Sequence, residues 1–223
     1  MTSWSWRFVG RNKINLHSFK WIDAVGRTMT VMSMTVAQQL KGSGDHPRWS
    51  CRARCNGQEV LLKVRSLTTL RPRWRATLGR AYFKREAVML QRVADAGVSV
   101  PVLVGRGACV SFGLATRQAL MTQWLTGYQP LEEWLSHDAG RTLASMAAML
   151  DQVRRAHLAD KDFGVHNILA AEQDGQLHIV WADLERASPA RADDADSTCQ
   201  TVGAALVRWG IAMKGNPSSL ENA

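Results

Sequence analysis

Acidic residues are missing from one long stretch of this sequence. Eight cationic side chains occur between positions 63 and 85, and the first carboxylate after them belongs to Glu86. The whole chain carries 28 Lys and Arg against 19 Asp and Glu, a net charge of +9. Such an excess favours anionic partners such as phosphorylated ligands, nucleic acid or an acidic membrane face. Trp74 among the arginines would suit stacking on bases, but no RNA-module signature accompanies it, so nucleic acid is an unlikely partner.

Cysteine is scarce and is not arranged for metal or disulfide chemistry. The four cysteines form no CxxC pair, and no His or Cys follows Cys51 and Cys55 at the spacing of a zinc finger. We therefore expect reduced thiols in a cytosolic protein.

Long apolar runs are also absent. The longest, such as Val98–Val104, are too short to cross a bilayer, and cations including Arg7, Arg11 and Lys13 interrupt any signal-peptide core. We expect a cytoplasmic protein. The aromatics near the N-terminus lie among cations, which suits either peripheral contact with an anionic membrane surface or packing on the protein body. These aromatics are Trp4, Trp6, Phe8, Phe19 and Trp21.

Apolar residues are plentiful enough for a folded core. They make up 46% of the 223 residues, and this length suits one domain or two small lobes. We predict an N-terminal extension at residues 1–35, an N-terminal lobe at 36–125 and a C-terminal lobe at 126–223.

Turn dipeptides divide the N-terminal lobe into strands. Asn56-Gly57 joins the runs Arg48–Cys55 and Glu59–Val64, and Asn-Gly between alternating runs is a strong hairpin signal. The run Val98–Val104 predicts a further strand, placed at a sheet edge because Pro101 cannot donate to a neighbour. Another strand is predicted in Leu114–Leu125.

Apolar residues at helical spacing predict helices at 80–96, 131–135, 140–157 and about 198–213. His157, at the end of the third helix, is predicted to be a core histidine. Asp174-Gly175 predicts a hairpin between Asn167–Ala171 and Gln176–Trp181. The predicted order along the chain is strands, one helix, more strands, and then helices around a hairpin. This order indicates a segregated α+β fold rather than repeated βαβ units.

Oxygen-bearing side chains flank this second hairpin. Asp162 lies five residues before Asn167, and Asp183 follows the second strand. Carboxylate and amide oxygens are the ligands that Mg²⁺ prefers. In this arrangement Asp162 would orient a hydroxyl, while Asn167 and Asp183 would hold the metal.

The D-x-x-x-x-N spacing of Asp162 and Asn167 resembles the catalytic loop of the protein-kinase-like superfamily. The nearer similarity is to the bacterial lipopolysaccharide kinases, which phosphorylate Kdo or heptose of the inner core and often carry an Asp-hydrophobic-acid run such as residues 183–185 here. The resemblance covers roughly residues 38–187. It implies a two-lobed fold with a small antiparallel-sheet N-lobe and a shortened helical C-lobe, using ATP and Mg²⁺.

The run Asp162-Phe163-Gly164 also spells the metal-loop motif of eukaryotic protein kinases. That interpretation would require a catalytic loop about 20 residues upstream. Residues 140–145 offer nothing suitable. Asp162 is therefore predicted to be the acid of the catalytic loop.

The N-terminal half fits the same resemblance. Lys63 lies in the middle of a predicted strand, like the lysine that contacts the α- and β-phosphates in the superfamily. Glu86, 23 residues further on in a predicted helix, would supply the carboxylate that pairs with this lysine. The order of these elements carries the resemblance more than any one motif.

Two further segments complete the predicted nucleotide site. Gly42 and Gly44 would form a shortened loop over the phosphates. Met121 and Gln123 lie where the hinge between the lobes would meet adenine, through backbone groups.

We therefore predict a Mg-ATP-dependent phosphotransferase that acts on a hydroxyl of a free or lipid-linked sugar of the lipopolysaccharide inner core. Its location would be the cytoplasm, in peripheral contact with the inner face of the membrane. Asp160 departs from the family, which often has His or Tyr two residues before the catalytic acid. A protein or small-molecule kinase of the same fold, a catalytically weak pseudokinase or binding module, and plain nucleic-acid binding through the basic run are the alternatives.

Overall fold

The computed structural model describes residues 19–31, 33–42, 47–78, 82–160 and 163–189. The chain divides into two compact units. The first comprises residues 1–88 and 102–124, and the second comprises residues 89–101 and 125–223.

A seven-stranded antiparallel sheet forms the first unit, in the order β2-β1-β6-β7-β5-β4-β3. Its strands are β1 (Phe19–Asp23), β2 (Thr28–Met29), β3 (Met34–Lys41), β4 (Arg48–Cys55), β5 (Gln58–Ser66), β6 (Leu103–Ser111) and β7 (Leu114–Gln123). Two helices lie between β5 and β6 in the chain, α1 (Leu70–Thr77) and α2 (Tyr82–Asp95).

Tight turns join the central strands. Asn56 and Gly57, between β4 and β5, have φ values of 48° and 85°, the left-handed pair typical of a two-residue hairpin. The predicted hairpin is therefore confirmed. Phe112 and Gly113 form a similar turn between β6 and β7, at φ values of 48° and 74°.

The two outermost strands of this sheet, β2 and β3, are consecutive in the chain. Only residues 30–33 connect them, so Met29 and Met34 are at most about 18 Å apart. A flat sheet of seven strands would separate its edges by about 29 Å, so the sheet must curl strongly. Asn56 bridges this connection. Its Nδ2 donates to the Thr30 carbonyl at 3.0 Å, and its Oδ1 accepts from the Ser33 amide at 3.2 Å.

One face of the curled sheet holds the core of the first unit. Side chains from β1, β3, β4, β5 and β7 form a single buried cluster that includes Trp21, Trp49, Leu62 and Met121. Because neighbouring residues of a strand point to opposite faces, Lys63 lies on the other face, beside the paired Leu120 of β7.

Three features of the first unit differ from the sequence-based expectations. The strand predicted at residues 98–104 begins only at Leu103, after Pro101, and lies between β1 and β7 rather than at an edge. Residues 19–29, placed in an N-terminal extension, supply β1 and β2 of the sheet. Helix α1 was not predicted, because none of its residues is buried and it therefore lacks an apolar face directed at the core.

Among the described residues, the second unit contains the C-terminal half of α2, two further helices and two small sheets. The helices are α3 (Leu131–His137) and α4 (Ala139–Arg155). One sheet pairs β8 (Gln129–Pro130), β10 (Ile168–Gln173) and β11 (Gln176–Trp181), and the other pairs β9 (Leu158–Asp160) with β12 (Ala187–Pro189).

Most predictions for this unit hold. Both helices are present, and Asp174 and Gly175, at φ values of 51° and 75°, turn the predicted hairpin between β10 and β11. His157 is a correction. It follows the end of α4, has a φ of 49° and is exposed, so it is not a core histidine. The helix predicted near 198–213 lies outside the described residues. In the described part of the chain, no helix combines the length and the apolar character needed to cross a bilayer.

Candidate active site

An ion pair joins β5 to α2 in the first unit. The Nζ of Lys63 lies 2.7 Å from Oε1 of Glu86. The Glu86 side chain is only 2% exposed and that of Lys63 is 21% exposed. The predicted pairing is therefore present, and its spacing is that of a charge-assisted hydrogen bond.

Local sequence explains why these two side chains meet. Alternation along β5 directs Val60, Leu62 and Val64 into the core and leaves Lys63 on the opposite face. Helical spacing buries Phe83, Ala87 and Leu90 of α2 together with Glu86. A buried carboxylate is costly unless a cation accompanies it, and Lys63 supplies that cation.

A second cluster on the same face of the sheet was not predicted. The guanidinium of Arg52 donates to both oxygens of Glu59, at 2.7 and 2.6 Å. It also lies 5.2 Å from the ring centroid of Trp124. The register of the Asn56-Gly57 hairpin was a usable signal, because it places Arg52 diagonally across from Glu59.

The predicted hinge residues lie at the end of β7. Met121 is fully buried in the core cluster, so its side chain does not face the Lys63 side of the sheet. The backbone amide of Gln123 donates to the Val102 carbonyl at 2.8 Å, and that of Trp124 donates to the Glu59 carbonyl at 3.1 Å. A backbone contact of Gln123 with adenine would therefore use its carbonyl group.

The predicted glycine loop is described only in part. Gly42 follows β3 with a φ of 69°, a conformation that favours glycine, and its carbonyl accepts from the side-chain amide of Gln39. Gly44 lies outside the described residues.

In the second unit, Asn167 and Asp183 lie at the open end of one hairpin. Asn167 ends a short 3-10 turn immediately before β10, and Asp183 follows β11 by two residues. The Ala182 amide donates to the Asn167 carbonyl at 2.8 Å, so the two predicted ligands are held on adjacent chain segments. Oδ1 of Asp183 also accepts from the Glu185 amide at 3.2 Å, which fixes the carboxylate beside its own loop.

The donor set at this hairpin suits Mg²⁺. Asp183 and Asn167 are both partly exposed, and their carboxylate and amide oxygens are the ligand atoms that they offer. In proteins, Mg²⁺ completes its coordination shell with water and phosphate oxygens. Within the described ranges, no group of three or more His, Cys, Asp or Glu side chains is arranged to hold a metal by itself.

Asp162, the predicted catalytic acid, lies outside the described residues, but its neighbours on both sides are held in place. Asp160 is buried in β9 and pairs with Ala187 of β12. Phe163 is buried against Trp181, with ring centroids 4.5 Å apart in an edge-to-face arrangement. The Phe163 amide donates to the Asp160 carbonyl at 3.3 Å. Phe163, the first described residue after Asp162, is thus packed against the hairpin that carries Asn167 and Asp183.

Comparison with known proteins gives a family. The model of the lipopolysaccharide kinase (Kdo/WaaP) family matches residues 44–198, which is more than half of the chain. The chain belongs to the lipopolysaccharide kinase (Kdo/WaaP) family. A solved structure titled "WaaP in complex with acyl carrier protein" matches with a TM-score of 0.51 and 16% identity, covering 75% of this chain and 70% of that one. No curated protein sequence matches the chain.

The family and the structural match confirm two expectations from the sequence. The resemblance to lipopolysaccharide kinases is confirmed by the family match. The predicted kinase-like α+β fold, with an antiparallel sheet in its N-terminal part, is confirmed by the likeness to WaaP. The roles of the individual site residues and the boundaries of the predicted lobes stay predictions.

Proposed function

We propose that this lipopolysaccharide kinase family member transfers the γ-phosphate of Mg-ATP to a hydroxyl of an inner-core sugar. The observation that carries the proposal is the 2.7 Å pair between Lys63 and the buried Glu86. An ion pair at this depth is expensive to maintain, and its placement between a sheet and a helix matches the pair that positions ATP phosphates in kinases. Family membership supports the sugar acceptor.

Each site residue has a distinct role in this proposal. Lys63, held by Glu86, contacts the phosphates. Asn167 and Asp183 would hold Mg²⁺, which would supply positive charge that offsets the negative charge of the phosphates during transfer. Asp162 orients the accepting hydroxyl and takes up its proton late in the transfer. The protein's contribution is therefore positioning and electrostatic stabilisation rather than covalent chemistry.

Transfer of ³²P from ATP to fractionated cell envelope tests this proposal directly. We expect label in the lipopolysaccharide fraction and not in protein. Asp162→Asn should lower the rate by about 10²–10⁴-fold while nucleotide binding persists. Asp174→Asn is a matched control, because Asn tolerates the left-handed turn conformation at that position. Equal activity of Asp162→Asn and wild type would contradict the assignment, and label in protein alone would indicate a protein kinase.

The two metal residues have a separate readout. Asp183→Asn and Asn167→Ala should weaken the thermal stabilisation that ATP gives in the presence of Mg²⁺, and should change it little when Mg²⁺ is withheld. A pseudokinase or binding module is the second candidate, favoured by Asp160 at a position where the family often carries His or Tyr. If millimolar Mg-ATP does not stabilise the wild-type chain, this second candidate replaces the first.

Two further proposals concern partners and location. Because the acceptor would be a lipid-linked sugar, we place the protein in the cytoplasm, at the inner face of the membrane. The structural neighbour is titled as a complex with acyl carrier protein, so a similar protein partner is proposed here as well. Co-purification of this chain with acyl carrier protein, checked by mass spectrometry, would test the second proposal.

A further inference from the structure

Helix α1 presents an apolar stripe to solvent. Leu70, Trp74 and Leu78 follow one another at intervals of four residues, which places them within an arc of about 80° on the helix surface. Each of the three is more than half exposed. Large apolar side chains are exposed singly on most proteins, but an aligned set is uncommon without a binding role.

The side of α1 that faces the protein body is marked by its half-buried residues, Pro72, Arg73 and Ala76, which lie about 100–160° from Trp74 around the helix. Nε of Arg73 donates to the Leu67 carbonyl at 2.8 Å. The hydroxyl of Thr77 accepts from the Ala115 amide of β7 at 2.9 Å. Arg73 lies about 100° from Trp74 around the helix, whereas Thr77 lies beside Leu70, so the second bond fixes the C-terminal end of α1 rather than its far side.

Cations flank the stripe. Arg71 and Arg75 each follow one of the apolar residues by a single position, and both are exposed. The helix has no acid in its first turn, and the sequence has none between positions 63 and 85. An apolar strip beside arginines is the pattern of a helix that lies in the interface of an anionic membrane.

A second apolar element lies near the same end of α1. The bond between Thr77 and Ala115 brings the end of the helix next to the start of β7, three residues from Phe112. Phe112 is fully exposed at the tip of the β6–β7 turn, at a φ of 48°. Bulky residues rarely adopt this conformation, which Asn or Gly adopts at less cost. The stability of the turn therefore does not explain an exposed phenylalanine at this position.

We propose that α1 and the Phe112 turn form a docking surface for an anionic phospholipid bilayer. The apolar side chains enter the boundary between headgroups and acyl chains, and Arg71 and Arg75 remain at the level of the phosphates. Side chains that project from two separate elements can enter a bilayer at any spacing. A protein partner would need a groove whose shape matched both elements, so the arrangement favours a bilayer. The surface deepens the proposed function, because it would bring the protein to a lipid-linked acceptor.

Vesicle sedimentation without ATP tests the surface separately from catalysis. The full-length protein is mixed with vesicles of phosphatidylcholine alone, or with about one third phosphatidylglycerol. We expect at least tenfold stronger binding to the anionic vesicles. Trp74→Ser combined with Leu78→Ser should weaken binding at least tenfold. Val25→Ser, at an exposed apolar residue of the β1–β2 turn, should leave it unchanged.

A pair of charge variants supplies the second comparison. Arg71→Gln with Arg75→Gln should weaken binding about 30-fold, since each cation near an anionic leaflet strengthens binding about fivefold. Arg154→Gln with Arg155→Gln removes the same net charge from the exposed end of α4 and should have a much smaller effect. Circular dichroism and melting curves confirm that each variant is folded.

Several outcomes would overturn the proposal. These are failure of wild type to bind anionic vesicles, unchanged binding of the Trp74 and Leu78 variant, or equal losses in the two arginine pairs. Suppose that wild type does not bind vesicles but binds purified acyl carrier protein, and that the Trp74 and Leu78 variant fails to bind acyl carrier protein. The surface would then be a protein-binding site instead. Loss of phosphotransfer with intact vesicle binding would count against the proposed function alone.

Discussion

Replacing Lys63 with methionine should destabilise the protein more than replacing its partner Glu86 with glutamine. Methionine keeps most of the apolar stem but removes the cation that lies 2.7 Å from a carboxylate only 2% exposed. Glutamine keeps a hydrogen-bond acceptor at position 86, and the ammonium of Lys63 is exposed enough to reach water. The two substitutions break the same contact, but only Lys63→Met leaves a buried charge, that of the Glu86 carboxylate.

The expected sizes follow from this difference in burial. Removing one partner of a buried ion pair costs about 3 kcal/mol or more, whereas Glu86→Gln should cost about 1–2 kcal/mol. For a protein of this length, each kcal/mol lowers the melting temperature by about 2–4 °C, so Lys63→Met should lower it by about 6–12 °C. Glu59→Gln is the control. The Arg52–Glu59 pair is about one-third exposed on both sides, so its loss should cost less than about 1 kcal/mol.

Urea unfolding of the two single variants and the double variant measures the coupling. The double variant should be more stable than the sum of the single effects predicts, by about 1–3 kcal/mol. It should nevertheless be inactive, because the proposed contact of Lys63 with the phosphates is lost even where stability has recovered. Additivity within about 0.5 kcal/mol, or full phosphotransfer by the double variant, would refute the reasoning.

Two further predictions concern other parts of the fold. Burial raises the pKa of the Cys51 thiol to about 12, so its reactive thiolate is scarce at pH 8. Iodoacetamide should label Cys109 in the native protein and reach Cys51 only after unfolding, as peptide mass spectrometry would show; equal native labelling would contradict this. Gly57→Ala should cost about 1 kcal/mol because Gly57 has a φ of 85°. Gly140→Ala, in α4, should instead stabilise the fold by about 0.5 kcal/mol. If urea unfolding showed the same change in stability for Gly57→Ala and Gly140→Ala, backbone conformation would not decide the outcome.

Local signals predicted the parts of the fold that depend on neighbouring residues. Asn56-Gly57 and Asp174-Gly175 place two hairpins correctly because both dipeptides favour left-handed backbone. The position of β1 was not predictable in this way, because its partner β6 is distant in the chain. Pairing between distant segments depends on the shape of the whole sheet, and no short-range pattern records it.

The candidate site shows the same contrast between contacts that local patterns predict and contacts that depend on the whole fold. Spacing in a strand and a helix was enough to predict that Lys63 pairs with Glu86, because each element fixes which face the side chain occupies. The contact of Arg52 with Trp124 depends on where the end of β7 lies relative to β4, two strands away in the sheet. That arrangement follows from the fold and could not be derived from the two segments separately.

The pairing of β1 with β6 also constrains how the protein is made. Phe19 pairs with Cys109, ninety positions later in the chain. At a synthesis rate of about 5–20 residues per second, β1 waits about 5–20 s on the ribosome before its partner strand exists. During that interval Phe19 and Trp21, both buried in the finished fold, have no sheet to pack into. Slower translation of residues 24–102 would lengthen this interval, and with it the time in which the nascent chain needs protection from aggregation.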